Sequence, residues 1–187
     1  MNDLSLHVID IIQNSLSAGA SLIKLTVEES SPEDKLLITI EDNGSGMSPE
    51  QVLKLEDPFF TSRTTRRVGM GIPLFKQSAI QCGGSLEVTS QKGEGTKVTA
   101  IFRQSHIDCP PLGDIANALI LMVSANPDID FLFRYVYNNN EYSFDTKEVK
   151  EVLEGVPLNE ASVIRMLTEM VGANIDELKG QIGRAHV

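Results

Sequence analysis

The chain has 187 residues, of which 41% are hydrophobic, and a mean hydropathy of -0.06, which is typical of a globular protein with one full core or with a small second domain. Its formal net charge of -10 argues against a partner that is nucleic acid, because binding to a phosphate backbone needs dense Lys and Arg. No apolar run approaches the roughly 20 residues of a membrane span, and the N-terminus lacks the pattern of a signal peptide, so we expect a cytoplasmic protein. Two cysteines, Cys82 and Cys109, are too few for a disulfide framework or a metal cluster, and we interpret them as buried or half-buried thiols.

The first half of the chain alternates helical and strand-like patterns. Residues 3–18 predict a helix with apolar residues at helical spacing and with Asp3 or Ser5 as its N-cap. The later elements of this half are two strands over 22–28 and 36–42, a short helix opening at 48–50, an aperiodic loop over 55–71, a helix over 72–81 and two strands over 85–90 and 96–102. This order predicts an α/β (α+β) two-layer sandwich, with a mixed or antiparallel sheet and helices on one face.

A second segment follows the Cys109-Pro110-Pro111 stretch, where we place a domain boundary. The predicted domains are therefore residues 1–106 and a small α+β domain over 107–187. The elements expected in the second domain are a helix over 114–125, a hairpin over 130–145 that turns at 138–140, and helices near 146–154 and 159–180, the last starting near Asn159 or Ser162. This segment carries no motif to which we can assign a chemistry.

The stretch from Asp42 to Gly46, directly after the apolar run 36–40, is the first candidate for a ligand site. A carboxylate at the end of a buried strand is costly unless it accepts hydrogen bonds. Glycines at 44 and 46 would let the backbone approach a flat ligand where a Cβ atom would clash. These features suit an Asp that recognises the amino edge of a purine. Asp-Asn-Gly is also an ordinary turn sequence, and this stretch by itself leaves both interpretations open.

A polar stripe on the first predicted helix is the second candidate. His7, Asp10, Asn14 and Ser17 follow at steps of three, four and three, which confines them to an arc of roughly 80° opposite the apolar face. A solvated helix face is the ordinary interpretation, but the stripe holds no Lys or Glu and is followed by the small residues 18–20. Short polar side chains favour a wall that faces a ligand, where an Asn carboxamide can bind Mg²⁺ and a carboxylate can orient water.

Residues 55–71 hold a basic island and a pair of glycines. Arg63, Arg66 and Arg67 either contact a phosphate group or belong to a solvated loop, and we favour at least one phosphate contact. The segment 69–71, Gly-Met-Gly, opens the following helix, and backbone amides at a helix N-terminus bind phosphate.

With these elements in this order, the chain over about residues 1–104 resembles the GHKL superfamily, which comprises histidine kinases, MutL-type repair ATPases, type II topoisomerases and the ninety-kilodalton heat-shock chaperones. The matching motifs are an N box at 10–20, a G1 box at 42–47, an F box at 57–63 similar to that of histidine kinases, a G2 box at 69–74 and a last glycine box at 93–96. The resemblance implies a Bergerat-type ATP-binding fold whose ligands are ATP and Mg²⁺.

The resemblance also implies roles for individual residues. Asn14 would bind Mg²⁺, Asp42 would accept a hydrogen bond from the adenine amino group, and Asp10 stands at the position of the general base. The other residues implied in ATP binding are Ser17, Gly44, Gly46, Met47, Phe60, Thr61, Arg63, Gly69, Met70, Gly71 and Thr96.

Two departures from the family pattern concern turnover rather than binding. Asp10 is one methylene shorter than the usual Glu, and Ser17 stands where MutL-like proteins carry an Asp. None of the histidines His7, His106 and His186 lies in the sequence setting of a phosphoaccepting helix. A histidine kinase that phosphorylates itself is therefore disfavoured.

We expect an enzyme that transfers the γ-phosphoryl group of Mg-ATP to a separate partner protein in signalling or regulation. The alternative is an ATP-gated binding module or slow ATPase, in which a lid over residues 55–71 changes the affinity for a partner without phosphotransfer. A DNA-associated ATPase of the MutL type is disfavoured by the acidic charge, and we expect neither nucleic acid nor a membrane as a partner. The identity of the protein partner and the formation of a homodimer stay open.

Overall fold

The computed structural model describes residues 3–56 and 71–180. In chain order, the elements of the described residues are α1 (Leu4–Ser17), β1 (Leu22–Ser30), β2 (Lys35–Asp42), α2 (Pro49–Glu56), α3 (Gly71–Gln81), β3 (Ser85–Gln91), β4 (Gly95–Phe102), α4 (Ile115–Ala125), β5 (Asp130–Tyr137), β6 (Asn140–Asp145), α5 (Thr146–Leu153) and α6 (Ala161–Leu178). None of the described helices is long and apolar enough to cross a bilayer.

The strands form one mixed sheet in the order β3-β4-β2-β1-β5-β6. Strands β1 and β5 are parallel, whereas β1 with β2, β2 with β4, β3 with β4, and β5 with β6 are antiparallel. The predicted fold class, with its mixed sheet, is confirmed. Both edges of the sheet, β3 and β6, come from antiparallel hairpins.

Alternation along the strands separates a buried face of the sheet from an open one. In β1, Ile23, Leu25 and Val27 are almost fully buried, while Lys24 on the other face is exposed. A period of two is what a strand with one covered face requires. Helices α1 and α3 pack against the buried face, through β2 for α1 and through β3 and β4 for α3. The polar face of the sheet therefore carries no helix among the described elements.

The segment after residue 106 extends the same sheet and the same core. Strand β5 lies beside β1 with Phe133 opposite Leu25, and both side chains are buried in one hydrophobic cluster. Helix α4 packs between α1 and α6. The predicted hairpin is confirmed, because β5 and β6 pair antiparallel around residues 138–139. The expected boundary at residues 106/107 thus falls between strands of one sheet.

The connection from β4 to α4 holds the N-terminus of α1. Asp3 caps this helix by accepting from the backbone N–H of Leu6, as predicted. The N–H groups of Leu4 and Ser5 donate to the carbonyl oxygens of Pro111 and Leu112, each at 2.9 Å. The first turn of a helix has no partners of its own for these donors, so the connection supplies them. The orientation of α1 is therefore fixed from both halves of the chain.

Some predicted boundaries need correction. The loop expected over 55–71 begins later, because Leu55 belongs to α2 and packs against the core, and Gly71 already belongs to α3. Residues 57–70 lie outside the described part of the chain. Helix α6 begins at Ala161, near Asn159 and Ser162 as expected, and Glu160 at its N-cap position makes no capping hydrogen bond with its side chain.

Candidate functional site

A cavity of about 180 Å³ lies between α1 and the end of the sheet formed by β2 and β4. Drug-sized ligands occupy pockets of roughly 300–1,000 Å³, while cavities of about 150 Å³ hold one benzene ring. The volume therefore suits a planar aromatic group better than a whole nucleotide. The described residues that line it are Ile11, Asn14, Ser15, Ala18, Ile40, Asp42, Gly46, Met47, Leu55, Ile72, Thr96 and Val98.

The Asp42 carboxylate is the charged group of this cavity, and two hydrogen bonds hold it in one orientation. Its Oδ2 accepts from the Ser15 hydroxyl at 2.6 Å, and its Oδ1 accepts from the backbone N–H of Gly44 at 2.8 Å. Asp42 sits at the end of β2, directly opposite Thr96 in the register of the sheet. Each carboxylate oxygen has a second lone pair, so an ionised Asp42 can still accept from a ligand.

Hydroxyl groups continue this polar wall across the neighbouring strands. The Ser90 hydroxyl lies 2.8 Å from the Thr96 hydroxyl and donates to the carbonyl oxygen of Gly95 at 3.0 Å. The backbone N–H of Met47 donates to Ser90 Oγ at 2.7 Å. Ser90 therefore joins the loop after β2 to strands β3 and β4. This network positions Met47 and Thr96 at the cavity.

The glycines after β2 are required by contacts between segments of this chain. Gly46 has φ +70°, and a Cβ atom there would run into the carbonyl group of Gln91. A Cβ atom at Gly44 would lie 2.8 Å from the carbonyl oxygen of Ala18 and 2.9 Å from its Cβ atom. We predicted that both glycines open the backbone to a flat ligand. Gly46 does line the cavity, whereas Gly44 is buried against the end of α1 and shapes the site through that packing.

The N-terminus of α3 lies against the polar stripe of α1. A Cβ atom on Gly71 would be 3.3 Å from the Asn14 carboxamide nitrogen and 3.5 Å from the Asp10 Cβ atom. Asn14 is half-buried and lines the cavity, while Asp10 is exposed beside it. A helix N-terminus, a carboxamide and a carboxylate thus lie close together, and the carboxamide borders the cavity. The first of these favours anions, and the other two are oxygen donors that suit a hard cation.

Among the four described residues of the predicted stripe, Asn14 alone lines the cavity; Asp10 lies beside it, and His7 and Ser17 are the two ends of the stripe. The ring of His7 stacks on Phe75 of α3 with ring centroids 5.4 Å apart. Burial lowers the pKa of His7, although the carboxylates of Asp10 and Asp3 act in the opposite direction. Ser17 is exposed at the C-terminal end of α1. The ligand-facing part of the stripe is therefore shorter than the sequence predicts.

Several predicted site residues lie outside the described residues, so their roles stay predictions. These are Phe60, Thr61, Arg63, Arg66, Arg67, Gly69 and Met70.

Two residues that contribute to the site were missed in the sequence. Ser15 is 2% exposed and lies on the apolar face of α1 beside Ile11 and Ile12. Ser90 follows Leu86 and Val88 on the inward face of β3. A hydroxyl in an apolar stripe is the signal that could have found them, because buried polar groups need partners. The identity of those partners is not a local property of the sequence.

The sequence profile of one protein family matches residues 2–106 of this chain, and its description is histidine kinase-, DNA gyrase B-, and HSP90-like ATPase. The match covers more than half of the chain. The chain belongs to this ATPase family. The recognised resemblance to the GHKL superfamily is thereby confirmed.

Several relatives of this chain are sensor kinases. A probable C4-dicarboxylate sensor kinase of Bacillus subtilis is 38% identical over 80 residues, which is 43% of this chain and 15% of that protein. The sensor protein kinase FleS of Pseudomonas aeruginosa is 34% identical over 95 residues, which is 51% of this chain and 23% of that protein. The chain thus matches less than a quarter of the length of these relatives.

A solved structure of the MutL ATPase domain of Aquifex aeolicus, complexed with ADP, shares the fold of this chain. The TM-score is 0.50 at 16% sequence identity, with 82% of this chain and 70% of that chain covered. At this identity the likeness concerns the fold, and it extends the match beyond the residues that the family profile covers.

The described residues suit a magnesium ion that arrives with phosphate groups. They contain no group of three or more His, Cys, Asp or Glu side chains that could hold a metal by themselves. Near Gly71, the chain offers the Asn14 carboxamide and the Asp10 carboxylate. Mg²⁺ commonly takes one or two protein oxygens and completes its shell with water and phosphate oxygens. The donor set therefore fits this use of the ion.

Proposed function

We propose that this ATPase-family chain binds Mg-ATP and transfers the γ-phosphoryl group to a separate partner protein. One observation carries the proposal: the cavity is lined both by an oriented carboxylate, Asp42, and by Asn14, which lies beside Asp10 and Gly71. Asp42 suits a base with a donor edge. The group around Asn14, here called the phosphate end, suits phosphate groups with a cation.

Asp42 would select adenine over guanine. Its two oxygens already accept from Ser15 and Gly44, and the remaining lone pairs face a ligand that must donate. The amino group of adenine is a donor, whereas guanine carries an acceptor oxygen at the same ring position. With guanine, the Asp42 carboxylate would face this oxygen, so its charge would be desolvated without a hydrogen-bond donor. The binding of guanine is therefore disfavoured.

Beside Asn14, the backbone amides at the start of α3 would bind phosphate oxygens, and the Asn14 carboxamide would bind Mg²⁺. The ion would neutralise charge on the phosphate oxygens. Asp10 is exposed and lies beside Gly71, so it would accept the proton of an attacking hydroxyl or orient a water molecule. Catalysis would then rest mainly on position and charge neutralisation.

Titration calorimetry with Mg-ATP tests the binding half of the proposal. Asp42→Asn places an amide donor opposite the adenine amino group, and we expect a loss of affinity of roughly 100-fold. Glu41→Gln is the matched control, because Glu41 is the adjacent, exposed carboxylate on the open face of the sheet. Equal affinities of the two variants would refute the assignment of Asp42.

A second pair of variants tests the phosphate end. Asn14→Ala should remove the difference in ATP affinity between Mg²⁺ and EDTA, while Gln13→Ala, an exposed neighbour on the same helix, should preserve it. An unchanged magnesium dependence in Asn14→Ala would contradict the proposed site.

The alternative function, an ATP-gated binding module, is favoured by one contact. The connection from β4 to α4 holds the first turn of α1 through the Pro111 and Leu112 carbonyls, so the helix that carries Asn14 is joined to the second half of the chain. A protein that binds the second half of the chain would thus respond to ligand binding at Asn14. ATP labelled at the γ-position separates the functions: label on proteins that co-purify from the native host supports phosphotransfer, while ATP-dependent association without label supports the module.

A further inference from the structure

The two cysteines of the chain lie together, although 26 residues separate them in the sequence. Cys82 follows the last residue of α3, and Cys109 lies in the connection from β4 to α4. The Cys82 thiol donates to the carbonyl oxygen of Asp108, the residue before Cys109, at 3.7 Å. The side chain of Cys109 lies close enough to the Cys82 thiol to interact with it. Both thiols are free.

Backbone contacts hold the two segments in this arrangement. The N–H of Arg103 donates to the Cys82 carbonyl oxygen at 3.4 Å, and the N–H of Cys109 donates to the His106 carbonyl oxygen at 3.0 Å. A Cβ atom added at Gly83 would lie 3.4 Å from the His106 ring. The connection is therefore folded back onto the end of α3, and the meeting of the thiols is set by the local chain path.

We propose that Cys82 and Cys109 form a reversible disulfide bond when the chain meets a hydroperoxide. Disulfides are rare where thiols are kept reduced, and those that do form there are mostly transient or redox-sensing. A pair of free thiols in contact, in a chain with no other cysteine, is the arrangement that such a bond needs. The inference does not depend on the proposed transfer of phosphate.

The two thiols differ in access, which assigns the order of the steps. Cys109 is half-buried and Cys82 is fully buried. The Cys109 thiolate attacks the O–O bond of the hydroperoxide, which forms a sulfenic acid and releases an alcohol or water. The Cys82 sulfur then attacks the Cys109 sulfur as its proton leaves, the S–O bond breaks, and water departs. Two electrons pass from the two thiols to the hydroperoxide.

Burial, followed by the contact with Cys109, raises the pKa of Cys82 to about 12. Cys82 is thus a thiol at neutral pH and is poorly suited to react first with a solute. A dithiol reductant would reverse the bond by thiol–disulfide exchange, starting at the more accessible Cys109 sulfur.

The bond would join the C-terminal end of α3 to the connection that holds α1, and both helices border the candidate nucleotide cavity. Helix α3 begins at Gly71, beside Asn14, and ends next to Cys82. Cys109 lies two residues before Pro111, whose carbonyl group holds the first turn of α1. Oxidation therefore ties together the two helices that meet at the phosphate end.

The test uses the full chain, treated with hydrogen peroxide under native conditions and then analysed without reduction. We expect an intact monomer lighter by the mass of two hydrogen atoms, and a linked pair of peptides that contain Cys82 and Cys109. The melting temperature of the oxidised protein should rise by about 5–10 °C, because the bond closes a loop of roughly 27 residues. Dithiothreitol should return both mass and melting temperature to their starting values.

Cys109→Ser is the control, because Cys109 is half-buried and the change conserves its size. This variant should keep one free thiol and show no rise in melting temperature after peroxide. Cys82→Ala, checked for folding by circular dichroism, should stop at the sulfenic acid on Cys109. Four results would each overturn the proposal. The first is an oxidised Cys109 in the wild-type chain while Cys82 stays a free thiol, and the second is a disulfide bond only between two chains. The third is a fall in melting temperature on oxidation, and the fourth is no reaction with peroxide.

Discussion

Replacing Ser15 with alanine removes the hydroxyl that donates to Asp42 Oδ2 at 2.6 Å. Ser15 is 2% exposed, so the new methyl group meets protein rather than bulk solvent. A hydrogen bond to a charged group contributes about 1.5–3 kcal/mol to stability. Asp42 borders a cavity that admits water, which restores part of that energy, and alanine adds roughly 0.5 kcal/mol of helix propensity. The free energy of unfolding should therefore fall by about 1 kcal/mol, or roughly 2–4 °C in melting temperature.

Urea unfolding at neutral pH measures this loss, and Ser17→Ala is the matched control for stability. It makes the same chemical change on the same helix, at an exposed position. In calorimetry, Ser15→Ala should also weaken the binding of ATP by about 5–10-fold, because Asp42 keeps a single restraint, the Gly44 amide. An unfolding midpoint equal to that of Ser17→Ala, together with wild-type ATP affinity, would refute the reasoning.

Three further predictions concern other contacts. Gly46→Ala should lower the free energy of unfolding, measured with urea, by at least about 2 kcal/mol, because φ is +70° and the methyl group would meet the Gln91 carbonyl; wild-type stability would contradict this. Glu29 is buried, which alone raises its pKa, but hydrogen bonds from Tyr135 and Gln104 and the charge of Lys179 at 3.1 Å lower the pKa below its usual range. A carboxyl group with a depressed pKa adds stability that is present above its unfolded pKa, about 4.3, and is lost as the pH falls through the folded value. The stability difference between wild type and Glu29→Gln, measured by urea unfolding across pH, should thus be constant near neutrality and shrink below about pH 4; a difference that grows on acidification would show the wrong sign. Tyr135→Phe removes a buried donor to Glu29 and should cost about 1–3 kcal/mol in the same assay, whereas no cost would show that Gln104 and Lys179 satisfy the carboxylate without the Tyr135 hydroxyl.

The local parts of the site could be predicted because each follows from neighbouring residues. The Asp42 loop, the N-terminal helix and the start of the helix at Gly71 all depend on apolar periodicity, caps and glycine. The order of the motifs was not needed for these predictions, but the resemblance assigned all three segments to one ligand. The structure then placed Asn14, Asp42 and Thr96 around one cavity.

The sequence by itself determined the helices, most strands, a sheet with helices on one face and the family, because these depend on short-range periodicity and on motif order. Only the tertiary structure decided that β5 pairs with β1, so that the second half of the chain completes the sheet and holds the first turn of α1. It also decided that Ser15 restrains Asp42 and that Cys82 meets Cys109. The physical reason is common to all of these. Strand order and the partners of buried polar groups are set by contacts between residues far apart in the chain, and no local pattern records which distant residue supplies the partner.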